Sequence, residues 1–519
     1  MKNTWLVLLL ILILQFTLRA PFISMPLEPG DEGLYAYFAQ RISAGAVLYR
    51  DMQDVKPPGI FYIYLTAFKV LGEKESSIRL FSIMFAMLTT IFMFLIGKQI
   101  ANKEMGLISA LLFAIFSSGV AIDGVWGTVE GFMALPMVIA FYCFLRGMDA
   151  VDKAEKEKGA LFSETGFLEF FLTGLFSSLA VMIKQVALFN FIALLIMIPI
   201  VSKEKRQWLN ESFIALSTGF VFPLILIGVY FYFKSAFVEY VECVWFCSIG
   251  IVRPSIIISI LQTINLMIRW DMVIWLFALI GAMAIIKKRS GSKPMVLLIW
   301  WAFSIVGVFS VGYALAHYYL QIIPGLCLMS GYTLCYWNEI NIRKIIRVSI
   351  YFMASLSVIS MVVFNYEYCF YRDPRLLLQL ISNSRNGVIA EKIGEKMKNR
   401  PNDSQYIISE NLRSVFYYAK KETLFNNFNP VLVGNTLMTI NKKILFEEKF
   451  SKLPKESVLN ERNKKMFLAL ADKRTSYYLY LKGNYVPPDI DVQLRRNNYV
   501  IDRELSYPSE GIIVFRHEK

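Results

Sequence analysis

Asp31, Glu32, Asp51, Asp54 and Lys56 share one short stretch, PLEPGDEGLYAYFAQRISAGAVLYRDMQDVKPPGIFY, residues 26–62. Apolar runs flank it on both sides, and ionisable groups beside such runs are costly enough to call for a function. Farther along stand Arg79, Glu130, the Lys184-Gln185 pair in VMIKQVALF, and His317 in AHYYLQIIP. Carboxylates accompanied by several cations suit transfer of a group away from a phosphate. A sugar carried on a lipid phosphate would develop oxocarbenium character at its anomeric carbon as the phosphate departs. A phosphate leaves without a protonating acid, unlike the alcohol of an ordinary glycoside. It needs cations to hold the departing charge, and one carboxylate to take the proton of the incoming hydroxyl.

The elements around these residues divide the labour. DEGLYAYFAQRISAG reads as a helix from about 32 to 43, ending near Gly45. Asp31 then lies at its N-terminus, where the dipole keeps a carboxylate ionised and where a plain capping role is equally open. Pro57-Pro58 forces an extended approach and then starts a helix, about 59–71. Lys56 would sit beside its free N–H groups, a seat for phosphate, or would snorkel to headgroups. That helix, rich in Phe, Tyr, Ile and Leu, is expected to lie along the membrane interface. Lys184 falls in a tight turn between apolar runs, deeper than a snorkelling lysine requires, and is read as a lipid-phosphate contact. Glu130 could pair with a cation or hold sugar or acceptor. For His317 a metal ligand, a sugar contact and an interfacial histidine all stay open.

The chain has 519 residues, 56% of them hydrophobic, with mean hydropathy +0.48. No soluble globular protein of this length is so apolar, and the reading is a polytopic all-α membrane protein. Apolar runs fall near 4–19, 80–97, 105–121, 131–146, 167–183, 186–201, 211–233, 270–286, 295–313, 318–337 and 345–364, about eleven spans. No small-residue cleavage site follows the first run, so it is read as a retained helix. Lys98 and Lys103, Arg146 to Lys158, Lys203 to Arg206, Lys287 to Lys293, and Arg343 to Arg347 occupy alternate loops, whereas 122–130 and 313–317 hold no Lys or Arg. The positive-inside rule places the N-terminus in the cytoplasm and residues 26–62 outside. An odd span count also puts the tail outside. The expected organisation is a membrane domain over 1–364, with its first outer loop at 20–79, and a soluble extracytoplasmic α/β domain over 365–519. In that tail, 405–409, 476–481 and 511–517 read as strands and 387–399 as an amphipathic helix. The tail holds more than half of the chain's net charge of +14, suited to anionic headgroups, a surface polymer or simple solubility. Six cysteines form no disulfide framework, and Cys243 and Cys247, without a nearby His, read as packing rather than zinc ligands. No glycine-rich phosphate loop and no nucleic-acid signature appear.

The segments GDEGLYAYFAQRISAGAVLYRDMQDVKPPG, IRL at 78–80, TVEGFMALPM, MIKQVALF and HYYLQIIPGLCLMSG follow one another across about residues 1–340. In order and spacing they resemble the bacterial branch of the dolichyl-phosphate-mannose protein mannosyltransferase superfamily, glycosyltransferase family 39, and its relative the lipid A aminoarabinose transferase. The resemblance implies a GT-C fold, a polyprenyl-phosphate-linked sugar donor, inversion at the anomeric carbon, and an acidic residue of the first outer loop as base. By position, Asp31 is that base, Glu32 its neighbour, Lys56 a donor-phosphate residue and Glu130 the second acidic position. The chain departs from the aminoarabinose transferases at Val55, where they carry an acidic metal ligand. It departs again at Gly33-Leu34-Tyr35, which lacks the Arg after their DE pair. The loop 234–269 is too short for the MIR domain of the eukaryotic enzymes. The candidate set is therefore Asp31, Glu32 and Glu130 for catalysis; Lys56, Arg79 and Lys184 for donor phosphate; and Tyr35, Gln185, His317 and Tyr318 for sugar or acceptor. No metal ligand is assigned and a divalent ion stays open. The expected partners are the lipid-linked donor, a hydroxyl acceptor on a cell-surface lipid, glycan or protein, and the bilayer of a bacterial cytoplasmic membrane. A flippase of the lipid-linked sugar and a non-enzymatic membrane scaffold are the rival readings. The first conflicts with charges at one face and no internal repeat. The second leaves Asp31, Lys56, Glu130 and Lys184 without a reason.

Overall fold

Long apolar runs satisfy their own backbone hydrogen bonds as helices, the arrangement a bilayer demands. The computed structural model shows where these runs become helices. It describes residues 2–28, 30–156, 164–201, 206–246, 272–288, 291–311, 315–336, 382–398, 406–409, 475–481, 499–506 and 512–517, with 257, 260, 261, 264, 359, 417, 418 and 494. Among them, six helical segments are long and apolar enough to cross a membrane: Asn3–Phe22, Glu75–Ile100, Val129–Lys153, Gly166–Ile183, Asn210–Phe233 and Ser292–Ser310. Gly59–Leu71, Gln185–Pro199, Met272–Lys287 and Ile323–Cys335 are shorter apolar helical segments. The protein is thus a multi-pass membrane protein. Ten of the eleven apolar runs fall on described helices; the last, 345–364, lies outside the described residues apart from Ile359.

The chain divides into two compact units. The first comprises Met1–Met25, Ser76–Gly228 and Arg253–Tyr371. Its helices are α1 (Lys2–Arg19), most of α4 (Glu75–Ile100), α5 (Lys103–Phe116), α6 (Val129–Lys156), α7 (Glu164–Ile183), α8 (Leu188–Val201), most of α9 (Arg206–Phe233), α11 (Met272–Lys288), α12 (Ser292–Ser310) and α13 (Ile323–Cys335). Small residues let these helices approach closely. A Cβ on Gly174 of α7 would lie 2.0 Å from the Leu216 carbonyl oxygen of α9, and one on Gly219 of α9 would lie 2.0 Å from that of Phe171. Buried polar groups are paired across helices. The Gln15 amide donates to Ser117 and accepts from Thr90, and the Arg19 guanidinium donates to the Ser118 hydroxyl and the Ser117 carbonyl. That last contact sets a cation at the C-terminus of α5, where the helix dipole favours it.

The second unit comprises Pro26–Glu75, Val229–Val252 and Arg372–Lys519. It contains α2 (Asp31–Ser43), α3 (Gly59–Leu71), α10 (Phe237–Val241) and α14 (Ser382–Lys398). Tyr35 of α2 meets Phe61 and Tyr64 of α3 edge to face, and Phe38 stacks on Phe61. Tyr49 packs against Phe231 and Tyr240. A π-helical turn, Glu242–Phe246, continues α10, so part of the stretch read as a loop at 234–269 is helical. Strands β1 (Tyr406–Ser409), β2 (Thr475–Leu481), β3 (Tyr499–Ile501) and β4 (Ile512–His517) form one sheet in the order β1-β2-β4-β3. β1 runs parallel to β2, and β4 is antiparallel to both its neighbours. Ile389, Ile393 and Met397 recur at four-residue spacing on α14 and are buried, as one covered face of an amphipathic helix requires. The α/β character expected of the tail is present, with strands within a residue of those read from the sequence.

Candidate functional site

In the second unit the site begins with α2. Its N-cap is Gly30, which supplies no side chain, and Asp31 is the first helical residue. Asp31 therefore does not cap; its carboxylate leaves the helix end for two other partners. One oxygen accepts from the Tyr35 hydroxyl at 2.9 Å, one helical turn on, and stands 3.4 Å from the Lys56 ammonium. With 46% of its side chain exposed, Asp31 can still be reached by a substrate. Glu32 does the opposite. It is buried, and its carboxylate turns back to accept the Glu28 N–H at 2.9 Å. The DE pair thus separates into one accessible carboxylate and one that braces the loop ahead of the helix.

Lys56 is fixed by its own peptide groups. Its N–H donates to Asp54 at 2.8 Å and its carbonyl accepts from the Tyr49 hydroxyl at 2.8 Å. Pro58 is the N-cap of α3, and the Lys56 ammonium is directed at Asp31. Tyr49 has a positive φ of 70° and is fully buried, and burial raises its phenol well above the ordinary range, so the hydroxyl stays neutral and donating. Arg50 clamps Asp51 with two hydrogen bonds of 2.9 and 3.0 Å and holds that carboxylate below its ordinary range. Asp51 in turn accepts from the Val47 N–H. Asp54 and Tyr49 were not among the sequence candidates as positioning groups; the i to i+2 spacing of Asp54 and Lys56, an Asx turn, was the available signal.

The first unit holds another polar group. Lys184 lies between α7 and α8, extended, as N-cap of the 3-10 turn Gln185–Ala187. Its ammonium is ion-paired with Glu130, near the start of α6, and lies 3.5 Å from the centroid of the Tyr318 ring. Both partners of the ion pair are buried, where a charge is tolerated only when matched. Tyr318 sits in the 3-10 segment Ala316–Gln321 beside His317, whose Nδ1 is 3.2 Å from Asp123. Burial opposes charge on His317, but Glu130 and Asp123 more than offset it, and the imidazole is raised above its ordinary value. Arg79 is buried with its guanidinium 4.5 Å from the Trp126 ring centroid, a cation–π contact. Gln185 opens the turn after Lys184 and is half-buried. Sequence reasoning passed over Asp123 and Trp126. Asp123-Gly124 is a turn pair, with Asp123 in the left-handed region at φ 55°. A Cβ on Gly124 would lie 2.1 Å from the Ser117 carbonyl oxygen.

Glu130, Lys184, Tyr318, His317 and Asp123 therefore form one chain of contacts, and Asp31, Tyr35, Lys56 and Asp54 form another. Among the described residues no three His, Cys, Asp or Glu side chains are grouped to hold a metal ion.

The fold matches two solved structures of ArnT from Cupriavidus metallidurans, one in the apo state and one bound to undecaprenyl phosphate. Each superposes with a TM-score of 0.63 at 13% identity, over 99% of this chain and 97% and 98% of theirs. This is a GT-C fold. The oligosaccharyltransferase of Archaeoglobus fulgidus also matches the GT-C chain, with a TM-score of 0.55 at 11% identity, over 92% of this chain and 69% of that one. Residues 55–232 match the family model for dolichyl-phosphate-mannose-protein mannosyltransferase. That stretch of the GT-C chain contains Lys56, Arg79, Glu130, Lys184 and Gln185, and ends before His317. No curated protein sequence matches the chain.

Proposed function

We propose that this protein is an inverting glycosyltransferase that moves a sugar from a polyprenyl phosphate to a hydroxyl acceptor at the outer face of a bacterial cytoplasmic membrane. The observation that carries the reading is Asp31: a reachable carboxylate, oriented by Tyr35 and neutralised by Lys56. Asp31 accepts the acceptor's proton as the acceptor oxygen attacks the anomeric carbon from the side opposite the phosphate. The carbon–oxygen bond to the phosphate breaks, and the polyprenyl phosphate leaves with the electron pair. A nearby cation favours the charged form of Asp31 before the proton arrives and attracts the phosphate charge. Lys56 is the cation assigned to that phosphate in the unit that carries Asp31; in the first unit Arg79 and Lys184 are the candidate cations, and Glu130 holds Lys184 in its turn. Tyr35, Gln185, His317 and Tyr318 are assigned to sugar and acceptor, and Glu32 to bracing the loop that carries the base. No step runs through a metal. Supporting the donor class are the family model and the ArnT structure bound to undecaprenyl phosphate. Supporting the outer face is the alternation of basic loops, which leaves the segment with Asp31 on the side away from the cytoplasm.

The test is Asp31→Asn in detergent, supplied with sugar-charged polyprenyl phosphates extracted from the producing bacterium. Loss of a positioned base predicts a fall in turnover of about 10²- to 10⁴-fold, with undecaprenyl phosphate still bound. Turnover near that of the unaltered protein would exclude Asp31 as base. Transfer in detergent, where no second leaflet exists, also separates the enzyme from a flippase.

A further inference from the structure

The loop that delivers Asp31 is held by a dipeptide nearly 400 residues away in the chain. The Leu27 N–H, fully buried, donates to the Tyr418 hydroxyl at 2.9 Å. The next peptide N–H, of Glu28, donates to Glu32, and the Glu28 carbonyl accepts from the Gly33 N–H at 3.0 Å. The Gly30 carbonyl accepts from the Leu34 N–H at 3.1 Å. Glu28 and Gly30 are thus tied to the first turn of α2, and Leu27, next to Glu28, rests on Tyr418. The neighbour of Tyr418 grips elsewhere. The Tyr417 carbonyl accepts from Gln40, near the far end of α2, at 3.3 Å, and the Tyr417 ring stacks on Phe68 of α3 with centroids 5.8 Å apart. Tyr417 and Tyr418 are both buried. Burial raises the Tyr418 phenol above its ordinary range, so it meets Leu27 as a neutral hydroxyl.

We infer that Tyr418 is a positioning residue for sugar transfer: its hydroxyl anchors Leu27 and thereby fixes where Asp31 is presented to Lys56 and the acceptor. The inference rests on the reading of Asp31 as base. A hydroxyl used only for folding would alter stability and leave the chemistry alone. A hydroxyl that places the base alters the chemical step and the titration of the base.

Tyr418→Phe in the full chain removes the acceptor and keeps the ring. The expected result is a fall in kcat of about 10- to 100-fold, with the KM for extracted sugar-charged polyprenyl phosphate within about 3-fold. The acid limb of kcat should move to higher pH, because a displaced Asp31 loses the cation that favours its ionised form. Tyr417→Phe, which keeps both the ring on Phe68 and the backbone carbonyl, should behave as the unaltered protein. Unchanged kcat and acid limb in Tyr418→Phe overturn the inference. If that variant does not fold, hydrogen exchange in the unaltered protein decides: a protected Leu27 amide supports the anchor and rapid exchange overturns it. Should Asp31→Asn keep full turnover, the reading of Asp31 fails; should Asp31→Asn be inactive while Tyr418→Phe is normal, only the anchor fails.

Discussion

Adjacent carboxylates on a helix point about 100° apart, so Asp31 and Glu32 cannot share one environment. The structure gives the exposed direction to Asp31 and the buried one to Glu32. The same rule of direction explains Tyr35, four residues after Asp31 and on the same face. These relations were legible in the sequence once the helix was. The pairing of His317 with Asp123 was not, because 194 residues separate them and only the packing of the 3-10 segment against the loop before α6 brings them together. That pair carries a pH dependence. Three groups bear on the imidazole: Glu130 and Asp123 favour its charge, while Lys184 opposes it. The native value lies above the unfolded 6.5, so protonated His317 stabilises the folded state. The contribution is complete below pH 6.5 and is lost as pH rises through the native value. The difference in Tm between the protein and His317→Gln should accordingly be largest on the acid side and shrink toward alkaline pH. A difference that stays level, or grows with pH, would mean that Asp123 and Glu130 do not govern His317.

Helices were the most legible elements because a bilayer-length apolar run has few alternatives to helix. The short helix α2 was equally legible, from its turn signals at Gly30 and Gly45. What escaped were elements that owe their form to packing. α10 and the π-helical turn after it bury Tyr240, Cys243 and Val244, with no periodicity long enough to read. β3 has three residues and exists as a partner for β4; so short a strand leaves no alternation pattern. How helices meet was likewise hidden, since Gly174 and Gly219 lie 45 positions apart in unremarkable apolar text. Their contact fixes the crossing of α7 and α9, because the atoms a new Cβ would strike are backbone oxygens that cannot swing aside. Gly174→Ala should therefore force the helices apart and destabilise the protein by about 1–3 kcal/mol, even though alanine is the better helix former. A Tm in detergent that matches or exceeds that of the unaltered protein would show that the crossing can relax.

At the scale of the molecule, charge and hydropathy divide the chain near residue 365, while contacts divide it otherwise. The second unit takes in Pro26–Glu75 and Val229–Val252 together with the C-terminal segment. Composition could not reveal this, because α3 of that unit reads as an apolar helix like those of the first unit, while Tyr35, Phe38, Phe61, Tyr64 and Phe68 are all buried. These buried side chains are covered by protein, and part of that cover is Tyr417 on Phe68 and Tyr418 on the Leu27 backbone. Ending the chain after Tyr371 removes Tyr417, Tyr418, α14 and the sheet at once. The first loop would then expose the Phe68 ring and leave the Leu27 N–H and the Gln40 amide without these partners. Local opening, which sets the rate of proteolysis when closing is fast, should become far more frequent. Limited trypsin digestion in detergent is expected to cleave after Arg41 or Lys69 at least about tenfold faster in the truncated protein, by the loss of roughly 1.4 kcal/mol or more of local stability. Cleavage in the helices of the first unit should be unaffected. Equal rates at Arg41 and Lys69 with and without the C-terminal segment would mean that the loop covers its own aromatic residues.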